Sequence, residues 1–194
     1  MHPSRLAIVV LVSLVSVSIL KAQYGVNETI FVSGGRIELQ LGGGSYTIRP
    51  ASGTHIRVTV GDDAGRARVR LTTNATRATV SVTETPSSNF QATIEVPKTS
   101  DLIVRLSGGN LVLSGITGNK DIDSVAGNAE ISVGDPNQYA SMEATVKAGD
   151  LNVGAFTGAK TEDSFGLLHR ASWSGKGRYS LRANLGAGNL VLRK

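Results

Sequence analysis

Apolar and polar residues alternate with a period of two along most of the chain. Ile37, Leu39 and Leu41 interleave with Arg36, Glu38 and Gln40; Ile56, Val58 and Val60 interleave with Arg57 and Thr59. The pattern continues through Ala67, Val69 and Leu71, through Ala78, Val80 and Val82, through Ala92, Ile94 and Val96, and through Leu102, Val104 and Leu106. Successive side chains of a strand point to opposite faces, so each run predicts a strand with one buried and one wet side. Clusters such as Ser33-Gly34-Gly35, Gly42-Gly43-Gly44-Ser45, Gly61-Asp62-Asp63 and Pro86-Ser87-Ser88-Asn89 separate the runs. Gly, Asn and Asp tolerate the positive φ that tight turns need. No window keeps a helical period for more than a few turns. The fold is expected to be all-β.

The second half repeats itself. Segments 109–120 (GNLVLSGITGNK) and 149–160 (GDLNVGAFTGAK) keep one order of glycine, short polar residue, apolar residues, Thr-Gly and lysine, 40 residues apart. Glycines that open apolar runs recur at 109, 127, 149, 166 and 188, in steps of 18, 22, 17 and 22. A fixed period of this size marks an array in which no unit buries its apolar face alone. Without helices between the copies, each unit reads as two rungs of a β-solenoid-like stack with Gly/Asn corners, or as successive hairpins of one long sheet. Residues 98–194 form the regular repeats. Residues 30–97 form less regular strands, expected to start the stack or to cap it with an antiparallel sheet, since an open end exposes unpaired backbone.

Ahead of these strands, the apolar run from Leu6 to Leu20 follows His2 and Arg5 and precedes Leu20-Lys21-Ala22. It is shorter than the roughly 18 apolar residues of a membrane helix. Residues 1–22 are therefore expected to be a cleaved signal peptide, with 23–194 a single exported β-repeat domain and no membrane span left after cleavage. Removing Arg5 and Lys21 lowers the basic count from 20 to 18 against 15 acidic residues. That balance is too mild and too scattered to predict nucleic-acid binding. There is no cysteine, which excludes disulfides, thiol catalysis and cysteine-ligated metals; an apolar core must hold the fold.

Several motifs together resemble a known family. They are the Phe-Val-x-Gly-Gly-x-Ile-x-Leu run from Phe31 to Leu39, the Ile-x-Val-Pro segment from Ile94 to Pro97, and the Leu-x-Val-x-x-x-Gly-Gly-Asn-Leu-x-Leu-x-Gly-Ile-x-Gly stretch from Leu102 to Gly118. Followed by repeated Gly-Asn/Asp rungs, they resemble the bacterial "putative adhesin" family of β-strand-repeat proteins, a domain of unknown function, over roughly Phe31 to Leu192. The resemblance implies an exported protein with a β-solenoid-like fold and carries over no catalytic residue. The chain departs from the family pattern at 164–182, where Gly166-Leu167-Leu168-His169-Arg170 replaces the usual rung and Trp173, Arg178, Tyr179 and Arg182 cluster.

Catalytic signals are sparse. His55 and His169 have no metal-ligand spacing, no acid is placed near either by the sequence, and no serine sits in Gly-x-Ser-x-Gly. The acid pairs Asp62-Asp63 and Asp121/Asp123 fall in turn-like stretches, where Asp serves the backbone. Arg66, Arg68 and Arg70 share one strand face, with Arg57 expected on a neighbouring strand. Such a row could grip anionic glycan or lipid headgroups, or simply be a solvated face that discourages edge pairing. No catalytic residue, cofactor or metal is assigned. The expected function is a non-enzymatic exported protein with an adhesin-like or envelope-interaction role, periplasmic, at the cell surface or secreted, with an envelope glycan or another surface protein as candidate partners. The alternatives are a carbohydrate-active enzyme on a β-solenoid and a purely structural periplasmic module.

Overall fold

The computed structural model describes residues 16–21, 26–61, 65–164 and 167–194. Among these residues the regular structure is strand throughout, apart from one 3₁₀ turn at Pro136–Gln138. The leader falls largely outside the described residues, as do Asp62, Asp63 and Gly166. Ser16–Lys21, inside the expected leader, forms an edge strand.

The sixteen strands of the described residues join one sheet with two arms. The first arm runs in spatial order through β1 (Ser16–Lys21), β6 (Arg68–Thr73), β7 (Arg77–Thr83), β3 (Arg36–Leu41) and β9 (Asp101–Leu106). It continues through the first halves of β11 (Lys120–Ser132) and β16 (Tyr179–Arg193), then β12 (Tyr139–Ala148), β15 (Leu168–Ser174) and β14 (Lys160–Ser164). The second arm runs through β2 (Val26–Ile30), β5 (His55–Val60), β8 (Gln91–Val96), β4 (Gly44–Pro50) and β10 (Gly109–Leu113). It ends on the second halves of β11 and β16 and the two-residue β13 (Leu151–Asn152). The inward residues of both arms, such as Ile37, Leu39, Val104 and Ile122 on the first and Ile48, Leu111, Leu113 and Ile131 on the second, meet in one apolar core.

The middle of the sheet is parallel and in register. Gly44, Gly109, Gly127 and Gly188 lie side by side, and Gly149 follows against Gly188. Gly109 and Gly127 have φ of 111° and 117°, and a Cβ on Gly127 would fall on the Gly109 carbonyl. Only glycine fits a corner that close. The residue after each corner extends the pattern. Asn110 Nδ2 donates to Ser45 Oγ at 3.4 Å, Asn128 Nδ2 to Asn110 Oδ1 at 3.1 Å, and Asn189 Nδ2 to Asn128 Oδ1 at 2.9 Å. The recurring Gly-Asn thus combines a corner without a Cβ and an amide ladder.

The order of the rungs differs from a sequential stack. Going up the ladder, the corners read 44, 109, 127, 188, 149. β16, last in sequence, inserts between β11 and β12, so segments 109–120 and 149–160 are not neighbours. Every rung offers a glycine corner followed by a short polar residue (Asn at 110, 128 and 189, Ser at 45, Asp at 150) and the same aliphatic alternation, so local pattern does not fix the pairing order. The fourth expected rung is replaced by the antiparallel β14–β15 hairpin, with Asp163 opposite His169 and Lys160 opposite Ser172. Antiparallel pairs do lie toward the other end, β6 with β7 and β5 with β8, but β3, β4, β7 and β8 of segment 30–97 also join the parallel ladder.

Candidate functional site

The arginine row divides between the arms. On β6, Val69 and Leu71 are buried while Arg68 and Arg70 are exposed; Arg66, also exposed, lies in the turn before the strand. Arg68 Nε lies 3.1 Å from Glu84. Arg57 is on β5, whose partners are β2 and β8, whereas β6 pairs with β1 and β7. The neighbouring-strand expectation for Arg57 is thereby corrected. On the outer face of the second arm it sits between Glu28 (3.0 Å) and Glu95 (3.4 Å), and Arg49 completes the row at 3.1 Å from Glu95. Pairs this exposed contribute little each, yet they leave Arg57 already engaged.

The outer face of the first arm carries a larger feature. Outward positions of β9, β11, β16, β12 and β15 line an open groove of about 910 Å³. Period two selects these positions, and register assembles them: Arg105, Asp123, Asn184, Thr145 and Arg170 form one row across the five strands, while Asp121, Arg182, Glu143 and Ser172 form the next. Arg105 grips Asp121 at 2.9 Å and Asp123 at 3.1 Å, and Asn184 Nδ2 donates to Asp123 Oδ1 at 2.6 Å. The hydrogen bond with Asp121 is the main reason the Arg105 pKa lies above its ordinary value; partial burial opposes it and the Asp123 charge adds to it. Among the described residues Lys147, Arg170 and Arg182 make no ion pair.

Asp121 and Asp123 are therefore mid-strand residues, not turn residues, and both are engaged by Arg105. Asp163 lies 2.7 Å from His169 Nδ1. That pair is in register with buried Val146, on the face opposite Asp121 and Asp123. The three carboxylates do not converge. The structure supplies the acid partner for His169 that the sequence did not place, because a hairpin register brings 163 and 169 together. His55 Nδ1 is 3.9 Å from Glu28. Among the described residues no group of three or more His, Asp or Glu gathers at metal-binding distance.

Lys120 was not foreseen. It is 1% exposed, inside the core, where Nζ donates to the Tyr139 hydroxyl at 2.6 Å and to the Gly118 carbonyl at 3.1 Å. Burial lowers its pKa to about 8, with the Asp101 charge opposing. Burial, helped by Tyr179, raises Tyr139 to about 12. Trp173 belongs to the same end of the molecule. It packs on Phe156 at 5.1 Å between ring centroids, Phe156 meets Tyr139 at 5.7 Å, and Tyr139 meets Tyr179 at 6.3 Å. The lone tryptophan closes the core where the ladder stops.

No protein-family model and no curated protein sequence matches the chain. Among solved structures, a "putative cell adhesion protein" from Clostridium sporogenes ATCC 15579 is similar in fold, with a TM-score of 0.50 at 10% identity, covering 93% of this chain and 99% of that one. Two proteins named "putative adhesin", from Parabacteroides merdae ATCC 43184 and Parabacteroides distasonis ATCC 8503, align at a TM-score of 0.26 with 10% and 9% identity. They cover 87% of this chain and, respectively, 92% and 69% of their own; overlap that weak carries no argument. The chain is thus an all-β protein similar in fold to a bacterial protein named for cell adhesion.

Proposed function

We propose that this is an exported, non-enzymatic protein that acts as an adhesin or envelope-interaction module, presenting the outer faces of a rigid β-solenoid-like stack. The observation that carries the reading is the ladder of in-register corners at Gly44, Gly109, Gly127, Gly188 and Gly149. It holds many strands in one frame, so outward side chains form broad surfaces of fixed spacing rather than a deep pocket. The apolar leader supports export. The fold likeness to a protein named for cell adhesion agrees with the role without establishing it.

An enzyme acting on polysaccharide would need carboxylates converging on one bond. Asp121 and Asp123 are held by Arg105, and Asp163 lies across the sheet, so that reading has little support. Arg68 and Arg70 on β6, with Arg66 in the turn before it, are a candidate rim for anionic ligands. Retention of the labelled full chain on an envelope preparation tests the role. Retention above that of a β-rich protein of matched charge is expected, and equal retention overturns it. The Arg66/Arg68/Arg70 triple alanine variant, if retained like the parent chain, removes that rim.

A further inference from the structure

We infer that the groove on β9, β11, β16, β12 and β15 binds a carboxylate-bearing polysaccharide of the uronic-acid class. The inference rests on the envelope-interaction reading and gives it a site and a ligand chemistry. Three features of the groove carry it.

The first is charge. Arg105 is engaged by both Asp121 and Asp123, and those three groups together carry one excess negative charge, so an anion binds away from them. The rest of the groove offers Lys147, Arg170 and Arg182, all exposed and without an ion pair among the described residues, beside two acids that likewise make none, Glu143 facing Arg182 and, from β14, Glu162 facing Arg170. Guanidinium and ammonium groups of this kind bind carboxylates through charge-assisted hydrogen bonds.

The second is spacing. Arg182 faces Glu143 on the next strand, Arg170 faces Thr145, and Lys147 lies two residues beyond Thr145. The cations therefore occupy three strands and three successive outward rows. With strands about 4.8 Å apart and same-face residues about 7 Å apart, their backbones are about 8–14 Å from one another. One small anion does not span that distance, whereas a chain with repeated carboxylates does. The groove is five strands wide, about 19 Å, and its volume suits a short oligosaccharide.

The third is the character of the lining. Among the described residues it contains no aromatic ring, and between the cations lie hydroxyl and amide groups such as Thr145, Ser172 and Asn184. A neutral sugar has no platform to stack on. A charged one meets cations flanked by hydrogen-bonding groups, held in place by the ladder beneath them.

Titration calorimetry of the full chain with an oligogalacturonate, a neutral maltooligosaccharide of equal length and a sulfated heparin-type oligosaccharide tests the proposal. Oligogalacturonate is expected to bind, to weaken as salt is added, and to lose roughly tenfold in affinity in K147Q/R170Q/R182Q. The control K98Q/K176Q/K194Q, exposed and equally reduced in charge, is expected to lose less than about twofold. Should the triple variant not fold, Lys147→Gln alone, on an exposed position, is expected to lose about threefold. Equal losses in groove and control variants overturn the proposal, as does equal binding of the neutral sugar or absence of binding. Tighter binding of the sulfated probe, lost in the groove variant, keeps the site and overturns carboxylate in favour of sulfate as the group it recognises. Envelope retention that survives in K147Q/R170Q/R182Q leaves the adhesin reading standing while the groove fails; no retention by the parent chain removes that reading itself.

Discussion

Segment 109–120 has a ladder on both sides, and segment 149–160 has one on a single side. β10, in the first copy, pairs with β4 and β11, and its following turn is sealed by Thr117 bonding to Lys98 and Ser100. β13, in the second copy, pairs only with β16 for two residues, and its following turn folds over the end of the core with Phe156 beneath Trp173. The two lysines that close the phrase part company. Lys120 enters the core against Tyr139, whereas Lys160 is exposed and starts the edge strand β14. One phrase thus serves as a middle rung where neighbours lie on both sides and as a lid where they do not. The charged edge of β14 fits the second role, since charge on an edge discourages further strand pairing.

The sharpest break of this comparison is at the matched glycines Gly118 and Gly158. Gly118 has φ of 141°, and a Cβ there would fall on the Ser100 carbonyl; Gly158 has φ of 79° with open space around it. Gly118→Ala is expected to cost about 4 kcal/mol or prevent folding, through backbone collision with a strained φ. Gly158→Ala is expected to cost about 1 kcal/mol, the price of the conformation alone. Denaturant unfolding of both variants checks this, and similar losses would mean the two turns are equally packed. Next in size is the lid. Phe156→Ala should cost about 3 kcal/mol and shift the fluorescence of Trp173, the only tryptophan, to the red. Ile116→Ala, the matched core position of the first copy, should destabilise without that shift.

The strand faces were legible because period two survives wherever one side is wet: Ile37, Leu39 and Leu41 are all buried. The corners were legible because glycine followed by Asn or Asp has few other uses at a regular interval. Pairing order was not legible, since β16 and β12 present the same edge to β11 and only long-range packing chooses between them. The groove was hidden for the same reason. Lys147, Arg170 and Arg182 are ordinary outward residues in sequence, and register alone gathers them. Asp121 and Asp123 resembled turn residues because small polar residues flank them, while the parallel ladder through Ile122 makes them strand. Arg57 was misplaced because nearness in sequence says nothing about which arm a strand joins.

A smaller contrast separates the two lysines by pH. Below pH 8 the folded chain holds Lys120 protonated in its buried site, a charge the unfolded chain keeps in water at less cost. Between pH 8 and the ordinary lysine pKa of 10.5, the unfolded chain binds the extra proton, so stability rises with pH. The gain by pH 10 is about 2 kcal/mol. Above pH 10 the sign reverses, because Tyr46 and Tyr139 are raised by burial and keep protons that unfolded tyrosines release. Maximum stability is expected near pH 10. Lys120→Met should abolish the rise between pH 8 and 10, and Lys160→Met should leave it unchanged. Unfolding followed across that range decides the matter; a rise that persists in Lys120→Met assigns it elsewhere.

The smallest expected effect lies at the residue after each corner. In the first copy Asn110 both donates to Ser45 and accepts from Asn128. In the second copy the matched residue is Asp150, beside Asn189, and a carboxylate has no donor to give. Asn189 passes its amide to Asn128, so its own carbonyl oxygen lacks an amide from the rung beyond. Asn110→Asp removes a donor in mid-ladder and sets a charge among amides, and is expected to cost about 1 kcal/mol. Asp150→Asn supplies the missing donor at the ladder's end and is expected to stabilise by about 0.5 kcal/mol. The two substitutions exchange the residues of the matched positions, and their effects should have opposite signs. Equal signs would mean that the side-chain ladder adds nothing beyond the glycine corners. The repeated Gly-Asn would then owe its second residue to backbone preference alone.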